Sequence, residues 1–252
     1  MRIEIVDDYQ AVNRAAASHI AAVVAAKPTA SIVLATGSSP MGTYQDLVAR
    51  HERNAFDATR LRVFQLDAYL GLGREDRRSL YRWLAESFLT PLGVPDDHVV
   101  ALPGDTTDPD AVCLAFDAAV REAGGFDLSV LGLGPNGHLG FNEPPAAPDS
   151  PTRVVDLSEE SIISNARYWG GLDQVPRRAL TAGLASLLAA RETLLLVSGA
   201  HKHGILRRTV EEAPSPDVPA SYLQVAANVT VIADRAAWDG DGAHLGSRSG
   251  DR

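Results

Sequence analysis

The chain has 252 residues, 45% of them hydrophobic and 22% charged, with a formal net charge of −9. That length suits one large α/β domain or two small ones and leaves ample material for a core. The acidic balance argues against nucleic-acid and membrane-surface partners, which need a basic face, so the cations for any anionic ligand must be local. The single cysteine, Cys113, gives no disulfide framework and no thiolate metal site, which points to a reducing cytoplasm. The opening MRIEIVDDYQ carries acids where a signal peptide would be apolar, and no apolar run is long enough to span a bilayer.

In chain order, Ile3 to Val6 reads as a strand, and the stretch from about Asp7 to Ala26 as a helix with Ala16, Ile20, Val23 and Val24 on one face. Ser31 to Thr36 is a buried strand. It runs through GSSP into a helix from Pro40 carrying Met41, Tyr44, Leu47 and Val48, with Ser39 as its cap. Leu61 to Asp67 is a strand, and a helical pattern covers Ser79 to Leu89. Phe126 to Leu133 is a strand feeding a glycine-rich loop. The proline-rich Glu143 to Arg153 is irregular, and Glu159 to Tyr168 is helical. Pro176 to Ala190 reads as a helix, since Leu180, Leu184, Leu187 and Leu188 share one side. TLLLVSG is a strand before a helix from about Lys202, and Val229 to Asp234 is the last strand. This alternation predicts an α/β fold: an open, mostly parallel, Rossmann-like sheet with helices on both faces in three layers. Residues 1–238 form a single domain, about 150–176 a mobile lid, and 239–252 a frayed Gly/Asp/Ser tail.

The chemistry gathers after strand ends, where ligands bind in such folds. GLGPNG, residues 132–137, spells the dinucleotide fingerprint, but its third glycine must open a helix and an acid should follow about 20 residues on. Gly140 and the prolines that follow forbid that helix, so no nucleotide cofactor is expected. The loop instead offers His138 and Glu143, either an acid–base pair or a satisfied loop histidine beside a surface acid. Thr36, Gly37, Ser38 and Ser39 form either an anion cradle at a helix start or an ordinary capped turn. Asp67, at the end of a hydrophobic strand, is either a desolvated general base or a helix cap. Lys202 sits near a helix start, unfavourable unless it faces an anion, and Arg167 is a second candidate cation. His201 and His203 flank Lys202 but lack a third ligand, so no metal is expected.

Together these stretches resemble glucosamine-6-phosphate deaminase, of the superfamily that also holds 6-phosphogluconolactonase. The resemblance runs from about Ala16 to Asp234. Its most specific part is GLGPNGHLGFNEP, residues 132–144, similar at every fixed position to the deaminase pattern G-x-G-x-[DN]-G-H-[IL]-[AG]-F-N-E-P. The lactonase branch usually continues from the histidine with Ser-Leu-Phe-Pro and prefers Asp-Glu-Arg where this chain has Asp67-Ala68-Tyr69.

The resemblance implies roles. Asp67 is the base moving a proton between C2 and C1, and His138 the ring-opening acid–base, oriented by Glu143 with Asn136 completing the group. Thr36, Gly37, Ser38 and Ser39 hold the phosphate with Lys202 and Arg167, and Arg167 lies in the lid. The implied reaction converts glucosamine 6-phosphate and water to fructose 6-phosphate and ammonia, with no cofactor. The alternatives are a lactonase, an isomerase or deaminase for another sugar phosphate, or an inactive sensor. Ala68 departs from the family's usual Glu, which bears on the potential near Asp67 or on the sugar accepted. The regulated hexameric members use basic residues after the Phe-Asn-Glu-Pro motif and a C-terminal tyrosine. Here Arg153 matches, Val155 replaces a lysine and the tyrosine is missing, so a monomer or small homo-oligomer without that allosteric activation is expected.

Overall fold

A computed structural model describes residues 1–240; the predicted tail lies, from residue 241 on, outside the described residues. The chain runs β1 (Arg2–Val6), α1 (Tyr9–Ala26), β2 (Ser31–Leu34), α2 (Ser38–Glu52), β3 (Arg62–Gln65), β4 (Asp67–Tyr69) and α3 (Leu80–Leu84), the last extended by a π-helical turn, Ala85–Leu89. Then come β5 (Val99–Val100), α4 (Pro109–Glu122), β6 (Leu128–Gly132), β7 (Arg153–Asp156), α5 (Glu159–Trp169), β8 (Arg178–Thr181), α6 (Leu184–Leu188), β9 (Glu192–Val197), α7 (His203–Glu211), β10 (Val229–Asp234) and α8 (Arg235–Asp239).

Seven strands make one open parallel sheet in the order β1-β10-β9-β6-β2-β3-β5. Its alternate side chains feed two cores. Ile32, Leu34, Val63, Leu194 and Leu196 pack with α1, α2 and α3 on one face. Val33, Phe64, Leu131, Leu195 and Val231 pack with α4, α6, α7 and α8 on the other. A strand covered on both faces must be apolar at every position, which is why these strands read as continuous hydrophobic runs. The expected three-layer α/β architecture is what the chain forms.

A second, antiparallel sheet, β4-β8-β7, stands apart from this frame. It overturns one expectation outright: Arg178–Thr181, predicted helical, is its central strand, and only Leu184–Leu188 is helical. The leucine spacing is real, but Ala179 and Leu180 are buried by lateral pairing to β4 and β7. Gly183 separates the two pieces, packed so tightly that a Cβ there would lie 2.3 Å from the Ser150 carbonyl oxygen. The strand carrying Asp67 is likewise shorter than expected. It ends at Gln65, and Asp67 begins β4 in the other sheet. Periodicity also passed over α4, capped by Asp108 with Pro109 in its first turn, and the short strands β4, β5 and β7. Residues 150–176 fold as β7, α5 and a 3-10 turn, packed through Trp169, Ile162 and Leu157 onto Tyr69 and Phe141.

Candidate active site

One cleft lies across the carboxyl ends of β2 and β6, with α5 forming its outer wall. At one end, β2 turns through Thr36 and Gly37 into α2. Gly37 is the N-cap at φ 96°, a left-handed-side conformation that only glycine adopts freely. The predicted Ser39 cap is wrong: the helix starts at Ser38, Ser39 is its second residue, and no side chain caps the first turn. The consequence favours a ligand, because the N–H groups and dipole of a 15-residue helix face the cleft without a protein acceptor in front of them. Arg167 reaches this turn from α5, its guanidinium 3.5 Å from Ser38 Oγ. Lys202 arrives from the loop after β9 and donates to the Leu133 carbonyl at 2.7 Å. Burial, with Arg167 nearby, lowers the Lys202 ammonium to about 8.

At the other end stand the acid–base groups. Asp67 is 8% exposed, and burial alone pushes its carboxyl up to about 7. Its backbone is pinned, since Gln65 Nε2 donates to the Asp67 carbonyl at 2.7 Å while Gln65 Oε1 accepts from Leu102 N–H at 3.0 Å. The strand alternation puts Asp67 and Tyr69 on the cleft side of β4 and Ala68 on the opposite side, within the core that holds Leu180. The departure at Ala68 therefore alters the packing behind Asp67 rather than the lining of the cleft.

The loop after β6 holds the rest. The Gly134 N–H donates to the His138 carbonyl at 3.0 Å and closes a tight turn, with Gly137 at φ 87°. Gly134 is obligatory for another reason: a Cβ there would sit 2.1 Å from the His138 ring. His138 Nδ1 lies 3.3 Å from Glu143 Oε2, and Asn136 Nδ2 donates to the same oxygen at 2.8 Å. Burial would raise the Glu143 carboxyl, but the bonds from His138, Ser161 and Asn136 prevail and hold it at about 2. The carboxylate thus stays charged and keeps the imidazole Nδ1 on itself, leaving Nε2 toward the cleft.

All ten predicted site residues fall in or around this cleft, with Asn136 and Glu143 just behind His138. What the sequence reading missed is the outer wall. Ser158 and Ser161, at the start of α5, bond to Asn136 and His138, and Arg77, Arg78 and Trp83 line the mouth. Only the capping pattern Ser-Glu-Glu-Ser at 158–161 hinted that a helix starts here, and nothing local said what it faces.

An open parallel sheet with an anion cradle, a buried carboxylate and a carboxylate-held histidine in one cleft defines an α/β protein equipped for acid–base chemistry on a small phosphorylated ligand. The chain belongs to the family described as glucosamine-6-phosphate isomerases/6-phosphogluconolactonase, which matches residues 7–232. It is 38% identical to the glucosamine-6-phosphate deaminase of Halothermothrix orenii over 94% of this chain and 98% of that protein. It is 42% identical to that of Corynebacterium aurimucosum over 84% of each. A solved monomeric glucosamine-6-phosphate deaminase superposes with a TM-score of 0.92 at 34% identity, covering 94% of this chain and 98% of that one. The 6-phosphogluconolactonase of Trypanosoma brucei shares the fold, with a TM-score of 0.71 at 22% identity.

Proposed function

We propose that this protein is a glucosamine-6-phosphate deaminase, converting glucosamine 6-phosphate and water to fructose 6-phosphate and ammonia. The observation that carries this reading is the convergence of Asp67 with the Asn136–His138–Glu143 group on one cleft that ends in an uncapped helix N-terminus. The substrate phosphate binds the Thr36–Ser39 turn between Arg167 and Lys202. This places the sugar chain along the cleft, with its reacting carbons toward Asp67 and His138. Charge-assisted bonds from Arg167 and Lys202 to a phosphate each contribute about 1.5–3 kcal/mol.

His138 protonates the ring oxygen and takes up the proton of the C1 hydroxyl, so the sugar opens to its aldehyde and the imidazole ends in its starting protonation state. Glu143 stabilises the imidazolium whenever it forms. Asp67, desolvated and without an ion-pair partner among the described residues, removes the proton from C2 while His138 gives one to the C1 oxygen, forming an enolamine. Asp67 returns the C2 proton to C1, leaving an imine at C2, and His138 regains a proton as the imine forms. Water adds to the imine and ammonia departs, so the amino nitrogen leaves and the carbonyl oxygen comes from water. A carboxyl near 7 is matched to this task, since it is basic enough to accept a carbon-bound proton yet about half ionised at pH 7.

The similarity to a deaminase described as monomeric supports a monomer, which light scattering after gel filtration tests directly. The activity is tested by incubating the purified chain with glucosamine 6-phosphate and measuring ammonia and fructose 6-phosphate. Equal release of both, lost in Asp67→Asn, is the expected result. Turnover of 6-phosphogluconolactone without ammonia from the amino sugar would replace this reading with a lactonase, and tight binding without turnover would replace it with a sensor.

A further inference from the structure

Helix α5 touches both ends of the cleft. At its C-terminal end Arg167 reaches Ser38 Oγ of the phosphate turn at 3.5 Å. Its Arg167–Tyr168 segment is braced from outside, with the guanidinium 4.6 Å over the Tyr168 ring and that ring edge-on to Trp83 at 5.1 Å. At its N-terminal end the contacts run to the acid–base group. Asn136 Nδ2 donates to Ser158 Oγ at 3.1 Å, and Ser158 is the helix N-cap, accepting from Ser161 N–H at 3.2 Å. The Ser161 hydroxyl is fully buried, 3.2 Å from Ser158 Oγ and 3.3 Å from His138 Nδ1, the ring nitrogen that also faces Glu143. With Nδ1–H directed at Glu143, the Ser161 oxygen faces the same N–H as a second acceptor.

Ser161 and Arg167 are six residues apart on one rigid helix, about 9 Å along its axis. A helix of this length moves as a unit, so a pull on Arg167 at the phosphate end shifts the hydroxyl at the other.

We propose that Ser161 is a positioning residue for His138 and Glu143, and that α5 transmits occupancy of the phosphate site to the orientation of that pair. The inference rests on the phosphate site of the proposed function for both arms, and on the deaminase reading for its kinetic arm. Chemically, the device aligns the ring-opening imidazole only when a phosphorylated sugar holds Arg167, which spends phosphate binding on the rate of the chemical step rather than on affinity alone. Sugars without the phosphate would enter a site whose acid–base pair is less well held.

The direct test needs no turnover. The full-length chain with 15N-labelled histidine is titrated with inorganic phosphate, and the His138 ring nitrogens, assigned with His138→Gln, are followed by NMR. A saturable movement of the His138 signals is expected in the native chain. In Ser161→Ala it should fall to less than about a third while phosphate affinity changes by under about threefold, the loss of one partly redundant hydrogen bond. Ser158→Ala, cutting the same link one residue earlier, should weaken the response as well. An unmoved His138 in the native chain, or a full response in Ser161→Ala, overturns the proposal.

The kinetic arm uses glucosamine 6-phosphate. Ser161→Ala should lower kcat about five- to tenfold with little change in KM, and the effect should shrink to under about twofold in an Arg167→Gln background. Strictly multiplicative effects, the default for sites this far apart, would count against the coupling. Lack of ammonia release by the native chain would instead sink the deaminase reading, and the NMR arm would still decide the fate of Ser161.

Discussion

The parallel sheet and the small antiparallel sheet with α5 are built on different terms. The first is a frame whose strands are apolar on both faces and whose side chains interlock in two large cores. The second is a cap, three short strands and one helix joined by a small aromatic cluster of Tyr69, Phe141 and Trp169. The site straddles them. The phosphate turn and the His138 loop leave the frame, while Asp67, Arg167 and Ser161 belong to the cap. The loop and turn proposed to bind and position the substrate sit on the frame, and the remaining proposed site groups sit on the part with less buried surface.

If that division is right, frame and cap substitutions should separate into losses of stability and losses of rate. The largest effect is expected at Asp67, the cap residue assigned the carbon acid chemistry. Asp67→Asn should lower kcat by about 10³-fold, within the span general-base removal produces. The same variant should be more stable than the native chain at alkaline pH. Burial raises the Asp67 carboxyl from 3.8 to about 7, so the folded state holds that proton more tightly than the unfolded chain does. Its favourable contribution is complete below about 3.8 and gone above about 7. Thermal melts should therefore place Asp67→Asn above the native protein at pH 8 and level with it at pH 4. Equal melting at both values would contradict the desolvation of this carboxyl.

Phe64→Ala tests the frame. Phe64 is fully buried and meets Phe116 and Phe126 edge-on at 5.7 and 5.2 Å. Its removal should cost about 3–5 kcal/mol in denaturant titration while kcat of the folded fraction stays within about threefold. A matching loss of rate would show that the frame is softer than its packing implies.

Trp169→Ala tests the cap. Trp169 bridges Tyr69 and the guanidinium of Arg78, 4.8 Å above its ring. Here the order should reverse, with KM for glucosamine 6-phosphate rising about tenfold or more and global unfolding shifting less than for Phe64→Ala.

The pH dependence gives the smallest effect and ties the two regions together. In the proposed mechanism Asp67, in the cap, acts ionised, and Lys202, on the frame, holds the phosphate while charged. Burial sets these groups at about 7 and about 8. The kcat/KM profile should therefore be a narrow bell, falling about tenfold per pH unit outside those limits. Glu143, held at about 2, should contribute no limb in that range. Lys202→Arg should remove the alkaline limb, and a limb that survives this change would have to be assigned to another group.

The fold was legible because buried parallel strands must be apolar at every position, and runs such as SIVLAT and TLLLVSG leave no other reading. The site was legible where one local stretch carries the chemistry: GLGPNGHLGFNEP contains the histidine, its carboxylate and the amide that joins them. The leucines of 176–190 misled because helical spacing and a strand buried between two neighbours produce the same pattern over so few residues. Ser39 misled because a capping side chain and a helical serine have the same spelling, and only the positive φ of Gly37 decided where α2 begins.

By itself the sequence determined the frame, the turn between β2 and α2, the proximity of His138 and Glu143 and the family to which the chain belongs, since each depends on residues close together or on a period along the chain. The tertiary structure alone decided that Asp67 opens a strand of the second sheet, that Ala68 turns into the core behind it, and that Ser158 and Ser161 at the start of α5 meet Asn136 and His138 respectively. Those contacts join residues 22 to 114 positions apart. They are set by how two sheets and a helix pack, and no local pattern encodes that.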